Sequence, residues 1–156
     1  TIEESEDIDG LLLLLNTVGG DIEAGLAIAE LIAGMRKPSV SLVLGGGHSI
    51  GIPLAVSAKK SMIVPTASMM IHPVRMSGVV VGAPATITIF SAFRSRSRIL
   101  FTANSRITRE QFSNYMMATG QIATDVGTIV YGREAVESGL IDRLGGLHDA
   151  WSACTG

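Results

Sequence analysis

The chain has 156 residues, 47% of them apolar and 17% charged, with a net charge of −2. So even a charge balance excludes a general electrostatic pull on nucleic acid or anionic membrane. Its one cysteine, Cys154, excludes an internal disulfide and any cysteine-cluster metal site, and fits a reducing compartment. A single domain is expected. The apolar share points to a large core or to apolar surface covered by neighbouring subunits.

The first nine residues are mainly acidic and polar, and the run Leu11–Leu15 is far shorter than the roughly 20 apolar residues that span a bilayer. A cytoplasmic protein is expected. The abrupt start, almost inside a strand, leads us to expect a piece of a longer chain.

Ile8–Leu15 is a nearly continuous apolar run ended by Asn16, the pattern of a strand buried on both faces. Gly19-Gly20 marks a turn, Asp21 is a good N-cap, and the apolar residues from Ile22 to Ile32 follow at helical spacing until Pro38. Ser39–Leu44 reads as a second buried strand, Gly45–Gly47 as a break, and Ile50–Ala58 as a helix with Pro53 in its tolerant first turn. Ser61–Val64 and Ser68–Ile71 read as short strands, and Pro73–Pro84 as irregular with an edge strand or flap. A longer helix is expected over Ala85–Asn104, then one opened by a Thr108…Gln111 capping box, then Arg133–Ser138. Leu140–Asp142 reads as a strand and Leu147–Ser152 as a final helix. This alternation predicts an α/β domain with a mostly parallel sheet.

Gly47-His48-Ser49-Ile50-Gly51 matches G-x-S-x-G, where a sharp strand-to-helix turn exposes a serine hydroxyl beside the next backbone N–H. The bland alternative is a glycine turn with Ser49 as an N-cap. A serine needs a base to take its proton. Of the three histidines, His48 adjoins Ser49, His148 lies near the end, and His72 closes a predicted buried strand, where parallel sheets present functional groups. A structural histidine remains open at that position. The Gly19-Gly20 turn also joins strand to helix, so Gly20 and Ile50 N–H groups could together hold an oxyanion.

Four ordered segments carry a resemblance. Asn16-Thr-Val-Gly-Gly-Asp21 with Gly25, Leu44-Gly-Gly-Gly-His-Ser49-Ile-Gly51, Met69-Met-Ile-His72-Pro73 and Glu134-Ala-Val-Glu-Ser-Gly-Leu-Ile-Asp142 resemble the corresponding segments of the Clp protease proteolytic subunit (ClpP) family. The variants N-T-V-G-G-D and G-G-G-H-S-I-G are closest to its translocation-enhancing branch. The resemblance implies the ClpP/crotonase-type fold, a spiral of β-β-α units with a mostly parallel sheet and a projecting handle helix around Ala85–Asn104. It implies a serine endopeptidase with Ser49 as nucleophile, His72 as base, and Gly20 and Ile50 as oxyanion-hole donors, with no cofactor and no metal. A peptide or unfolded-protein substrate would add to a strand edge around Gly78, Val79 and Val80. Subunits would assemble into a ring enclosing the sites.

The resemblance also implies a third catalytic residue, an Asp. An ungapped alignment on Glu134 places Gly127 at that position, and Asp125 is the nearest carboxylate. Asp125 is therefore the expected orienting group. The family's N-terminal part is absent, which puts an ATPase unfoldase partner in doubt. Three rivals stand beside the peptidase: a crotonase-like acyl-CoA enzyme, a non-catalytic scaffold, and a membrane-associated Ser–Lys peptidase using Lys59 or Lys60. The arginines at 94, 96, 98, 106 and 109 sit in a chain of net negative charge and read as a solvated or intersubunit face, not a nucleic-acid patch.

Overall fold

The computed structural model describes residues 1–73, 95–96, 99–119 and 127–155. Four parallel strands form the centre: β1 (Leu11–Thr17), β2 (Ser39–Gly47), β3 (Lys60–Ile63) and β4 (Ser68–Ile71). Two more, β5 (Thr128–Tyr131) and β6 (Arg143–Leu144), lie outside them. The sheet runs β5-β4-β2-β3-β6, with β1 on β2. Every pairing is parallel except β4 with β5. The mostly parallel α/β architecture expected from the alternation is what forms.

The apolar runs explain why. Val40, Leu42 and Val43 of β2 are almost wholly buried, as are Met62 and Ile63 of β3. Such strands have no polar face to give to solvent, so helices or loops must cover both sides. The helix α1 (Ile22–Ala33) packs Leu26, Ala29 and Ile32 inward. Its N-cap is Asp21, whose Oδ1 accepts the Ala24 N–H at 2.8 Å. Helix α2 (Gly51–Val56) buries Ile52, Ala55 and Val56 in the main core, beside Val43, Ile63, Met69 and Phe112.

The remaining helices are α3 (Arg109–Met117), α4 (Gly132–Glu137) and α5 (Leu147–Thr155). Thr108 Oγ1 caps α3 by accepting the Gln111 N–H at 3.1 Å. Residues 99–104 are helical, with Leu100 and Phe101 buried; they are the described end of the expected long helix, most of which lies outside the described residues. Leu100 packs with Leu26, Ala29 and Ile50, tying that helix to α1 and to the turn after β2.

Four local expectations need correction. The first strand starts at Leu11, not Ile8, and reaches Thr17. The second does not break at Gly45 but continues to Gly47, because Gly46 pairs with Ser68 of β4 and Thr17 pairs with Gly47. A Cβ on Gly46 would lie 3.0 Å from the Thr17 carbonyl oxygen, so the glycine is what lets β1 approach. Leu140 and Ile141 are fully buried but turn beneath α4, with Ile141 N–H donated to Ala135 O at 3.0 Å. The last strand is instead Arg143–Leu144, paired to Met62 and Ile63. Finally, β5 forms in a stretch for which no strand is predicted.

Candidate active site

At the C-terminal end of β2 the chain turns sharply into α2, and Ser49 occupies that turn with φ +55°. It is the sole non-glycine with positive φ among the described residues. The left-handed region costs an L-residue roughly 1–2 kcal/mol, so the surroundings must impose it. They do so through the backbone. Ser49 N–H is donated to Met70 O of β4 at 3.0 Å, and His48 N–H to Thr17 O of β1 at 3.1 Å. Gly51 and Ile52 N–H groups reach back to His48 O and Ser49 O at 2.9 and 3.0 Å.

Glycine gives the neighbouring chain room to close in. Gly19 has φ +121°, and a Cβ there would lie 3.0 Å from Ser49 Cβ and 3.5 Å from its Oγ. Its N–H is held by Thr17 Oγ1 at 3.1 Å, which fixes the turn leading to Gly20. Gly25, on the inner face of α1, faces Ile50 so closely that a Cβ would fall 2.0 Å from Ile50 Cγ1. The two turns, after β1 and after β2, are thereby locked side by side. Among the described residues, the N–H groups of Gly20 and Ile50 have no hydrogen-bond acceptor.

A cavity of about 280 Å³ opens at this point. Gly20, Ser49, Ile50 and His72 contribute to its lining, together with an apolar wall of Ile52, Pro53, Phe101, Phe112 and Met116. The Phe101 and Phe112 rings stack at 4.3 Å between centroids, tilted by 36°. The structure thus brings Ser49, His72, Gly20 and Ile50 to one cavity, although 23 positions separate the serine from the histidine. No hydrogen bond joins Ser49 Oγ to His72; the His72 Nδ1 instead lies 2.6 Å from the Pro73 carbonyl oxygen. Asp125 and the strand-edge residues Gly78, Val79 and Val80 lie outside the described residues.

His48 takes a place in the site that its sequence position did not announce. Its ring sits over Gly46, where a Cβ would come within 2.9 Å of the ring atoms Cδ2 and Nε2. Its Nδ1 is buried with no hydrogen-bond partner among the described residues. Burial pushes its pKa below the ordinary histidine value of 6.5, and the charge of His72 adds to that. A position flanked by three glycines and the candidate nucleophile was the available signal.

Among the described residues no group of three or more His, Cys, Asp or Glu could hold a metal ion, and no described helix is long and apolar enough to cross a membrane.

Comparison with known proteins bears on the family and the fold. A translocation-enhancing protein, TepA, of Halalkalibacterium halodurans is 50% identical over 153 residues, covering 98% of this chain and 60% of that protein. The ATP-dependent Clp protease proteolytic subunit 1 of Protochlamydia amoebophila is 30% identical over 142 residues, 86% of this chain and 64% of that subunit. The chain therefore spans less than two thirds of the length of these relatives. Among solved structures, a ClpP1 N165D mutant from Listeria monocytogenes superposes with a TM-score of 0.72 at 21% identity, over 91% of this chain and 77% of that one. It shows that the fold is the ClpP type. The sequence model of the Clp protease family matches residues 1–146, and with it the chain belongs to the Clp protease family.

Proposed function

We propose that this chain is a serine endopeptidase that cleaves peptide bonds through an acyl-enzyme. The observation that carries this reading is Ser49, held at φ +55° on a strand-to-helix turn beside two N–H groups that have no acceptor among the described residues, and facing the same cavity as His72. Backbone strain at a polar residue needs a surrounding that over-determines it, and such strain clusters at catalytic positions.

In this reading the Ser49 Oγ–H proton passes to His72 Nε2 as Oγ bonds to the substrate carbonyl carbon. Negative charge moves to the carbonyl oxygen, where the Gly20 and Ile50 N–H groups receive it. The intermediate collapses with rupture of the C–N bond, and the proton on Nε2 goes to the leaving amine. Water then repeats the sequence on the ester, releasing the carboxylic acid and restoring Ser49. The route requires no cofactor. Residues 78–80 enter as the edge that would align an extended peptide. The apolar wall of the cavity suits an apolar side chain on the acyl side of the scissile bond.

Exposed apolar side chains support assembly into a ring of like subunits: Val18 is 87% exposed, Leu31 74% and Trp151 60%. A cytoplasmic chamber for unfolded protein, with or without an ATPase partner, completes the proposal.

The test is labelling with a fluorophosphonate. Covalent modification of Ser49, abolished in Ser49→Ala and strongly slowed in His72→Ala, is the expected result. Binding of a CoA thioester with no labelling would instead favour an acyl-CoA enzyme, and biological activity that survives Ser49→Ala would favour a scaffold.

A further inference from the structure

In the peptidase reading, on which this inference rests, a carboxylate is expected behind His72. Three observations point to another acceptor. Strands β4 and β5 are antiparallel, with Ser68 opposite Tyr131 and each later residue of β4 opposite an earlier one of β5, down to Ile71 opposite Thr128. One step beyond the last pair, the same register would bring His72 level with Gly127, a residue with no side chain.

Gly127, moreover, is fixed as glycine by its backbone. It is buried, has φ +140°, and donates its N–H to Ala118 O at 2.7 Å. An L-residue there would be strained.

The third observation is the ring itself. His72 Nδ1 lies 2.6 Å from Pro73 O. A carbonyl oxygen only accepts, so Nδ1 carries the proton and Nε2 keeps its lone pair. This is the tautomer that a triad carboxylate enforces, with Nε2 left to take the serine proton. Proline fixes its own φ near −65° and restricts the residue before it to extended backbone, so the sequence His72-Pro73 holds ring and carbonyl in a narrow range of relative positions.

We propose that Pro73 is the positioning residue for His72, its main-chain carbonyl standing where the family pattern has a carboxylate, so that Ser49 and His72 work as a dyad with a neutral third partner. A neutral acceptor secures the tautomer but adds no charge to stabilise the imidazolium, since charge-assisted hydrogen bonds are about twice as strong as neutral ones. Acylation is then slower than with a carboxylate, by less than the roughly 10⁴-fold seen when the tautomer is also lost.

The experiment uses the whole chain with ¹⁵N-labelled histidine. Ring ¹⁵N shifts at pH 8 should give a protonated Nδ1 and a bare Nε2 for His72, in the parent and in Asp125→Asn alike. Pro73→Gly should give a mixed tautomer and label about 10-fold more slowly, since freeing the φ angle lets the carbonyl leave the ring. An Nε2–H tautomer in the parent, a tautomer that changes in Asp125→Asn, or a Pro73→Gly variant with unchanged tautomer would each overturn the proposal. If the parent chain is never labelled, the peptidase reading falls, and the tautomer measurement still decides whether Pro73 positions His72.

Discussion

The two halves of the candidate site are built in opposite ways. Ser49 is held from a distance: β4 takes its N–H through Met70, β1 takes the N–H of His48 through Thr17, and α1 abuts Ile50 through Gly25. His72 follows the last residue of β4, and its ring is held by the carbonyl of the residue next to it. Nucleophile geometry here is therefore a property of the whole sheet, whereas the orientation of the base is a property of one dipeptide. A strained backbone can be maintained only by many partners. A ring on a strand end can be aimed by one. The first half should consequently respond to packing changes on three elements, the second only to changes close by.

The largest expected effect comes from the hydroxyl. Ser49→Ala should lower turnover by about 10⁶-fold, by analogy with removal of a serine nucleophile elsewhere, and leave no fluorophosphonate adduct by intact-mass measurement. Ser49→Gly loses the same oxygen but not the same stability. Glycine adopts φ +55° freely while alanine does not. The glycine variant should therefore be the more stable by about 1 kcal/mol in urea unfolding. Equal midpoints would mean that the turn relaxes once the hydroxyl is gone, and the comparison of a strained half with a relaxed half would fail.

A smaller loss should follow from pressing on Ile50 from α1. Gly25→Ala gains about 1 kcal/mol of helix propensity, but its Cβ would fall 2.0 Å from Ile50 Cγ1. Overpacking of this kind costs typically 1–3 kcal/mol, so net destabilisation is expected. Because Ile50 also carries a candidate oxyanion N–H, labelling should slow about 10-fold, short of the 10²–10³ that follows complete loss of a donor. Gly20→Ala is the control. Among the described residues its Cβ would meet nothing nearer than Ile50 Cγ2 at 4.0 Å, and the N–H is kept. Labelling of Gly20→Ala should remain within about 3-fold of the parent. A loss as large as that of Gly25→Ala would show that Gly20 is needed for backbone freedom and not for its N–H alone.

This asymmetry also explains how much of the site and fold was legible in the sequence. Ser49, His72 and the Gly19-Gly20 turn carry local signals: a glycine-flanked serine, a strand ending in histidine, and a glycine pair before an Asp21 cap. Two helix starts were legible for the same reason, since Asp21 and Thr108 cap the backbone three residues on. The features that escaped depend on partners far along the chain. Gly45–Gly47 looks like a break, and becomes strand only because Ser68 and Thr17 come alongside. Leu140 and Ile141 look like a strand because they are apolar, yet they are buried under a turn while the partly exposed Arg143 and Leu144 pair with β3. Thr128-Ile-Val-Tyr131 did carry a signal, four residues of high β propensity in a row. Its antiparallel pairing with β4 had none.

The smallest expected effect concerns His48, which belongs to the nucleophile turn but faces the base electrostatically. In the folded chain its pKa lies below 6.5, first because its ring is partly buried and second because of His72. The unfolded chain therefore takes up a proton at His48 before the folded chain does. As pH falls through 6.5 toward the depressed folded value, the unfolded state binds more protons and stability declines; above 6.5 both states are neutral there and the contribution vanishes. His48→Gln keeps a polar side chain of similar length and removes the titration. Its melting temperature should accordingly drop less than the parent's between about pH 7.5 and 5.5, with the two proteins responding alike between about pH 7.5 and 8.5. A parallel fall in both proteins on the acid side would show that the buried imidazole takes no part in the pH response. The strained turn would then be held by its backbone hydrogen bonds alone.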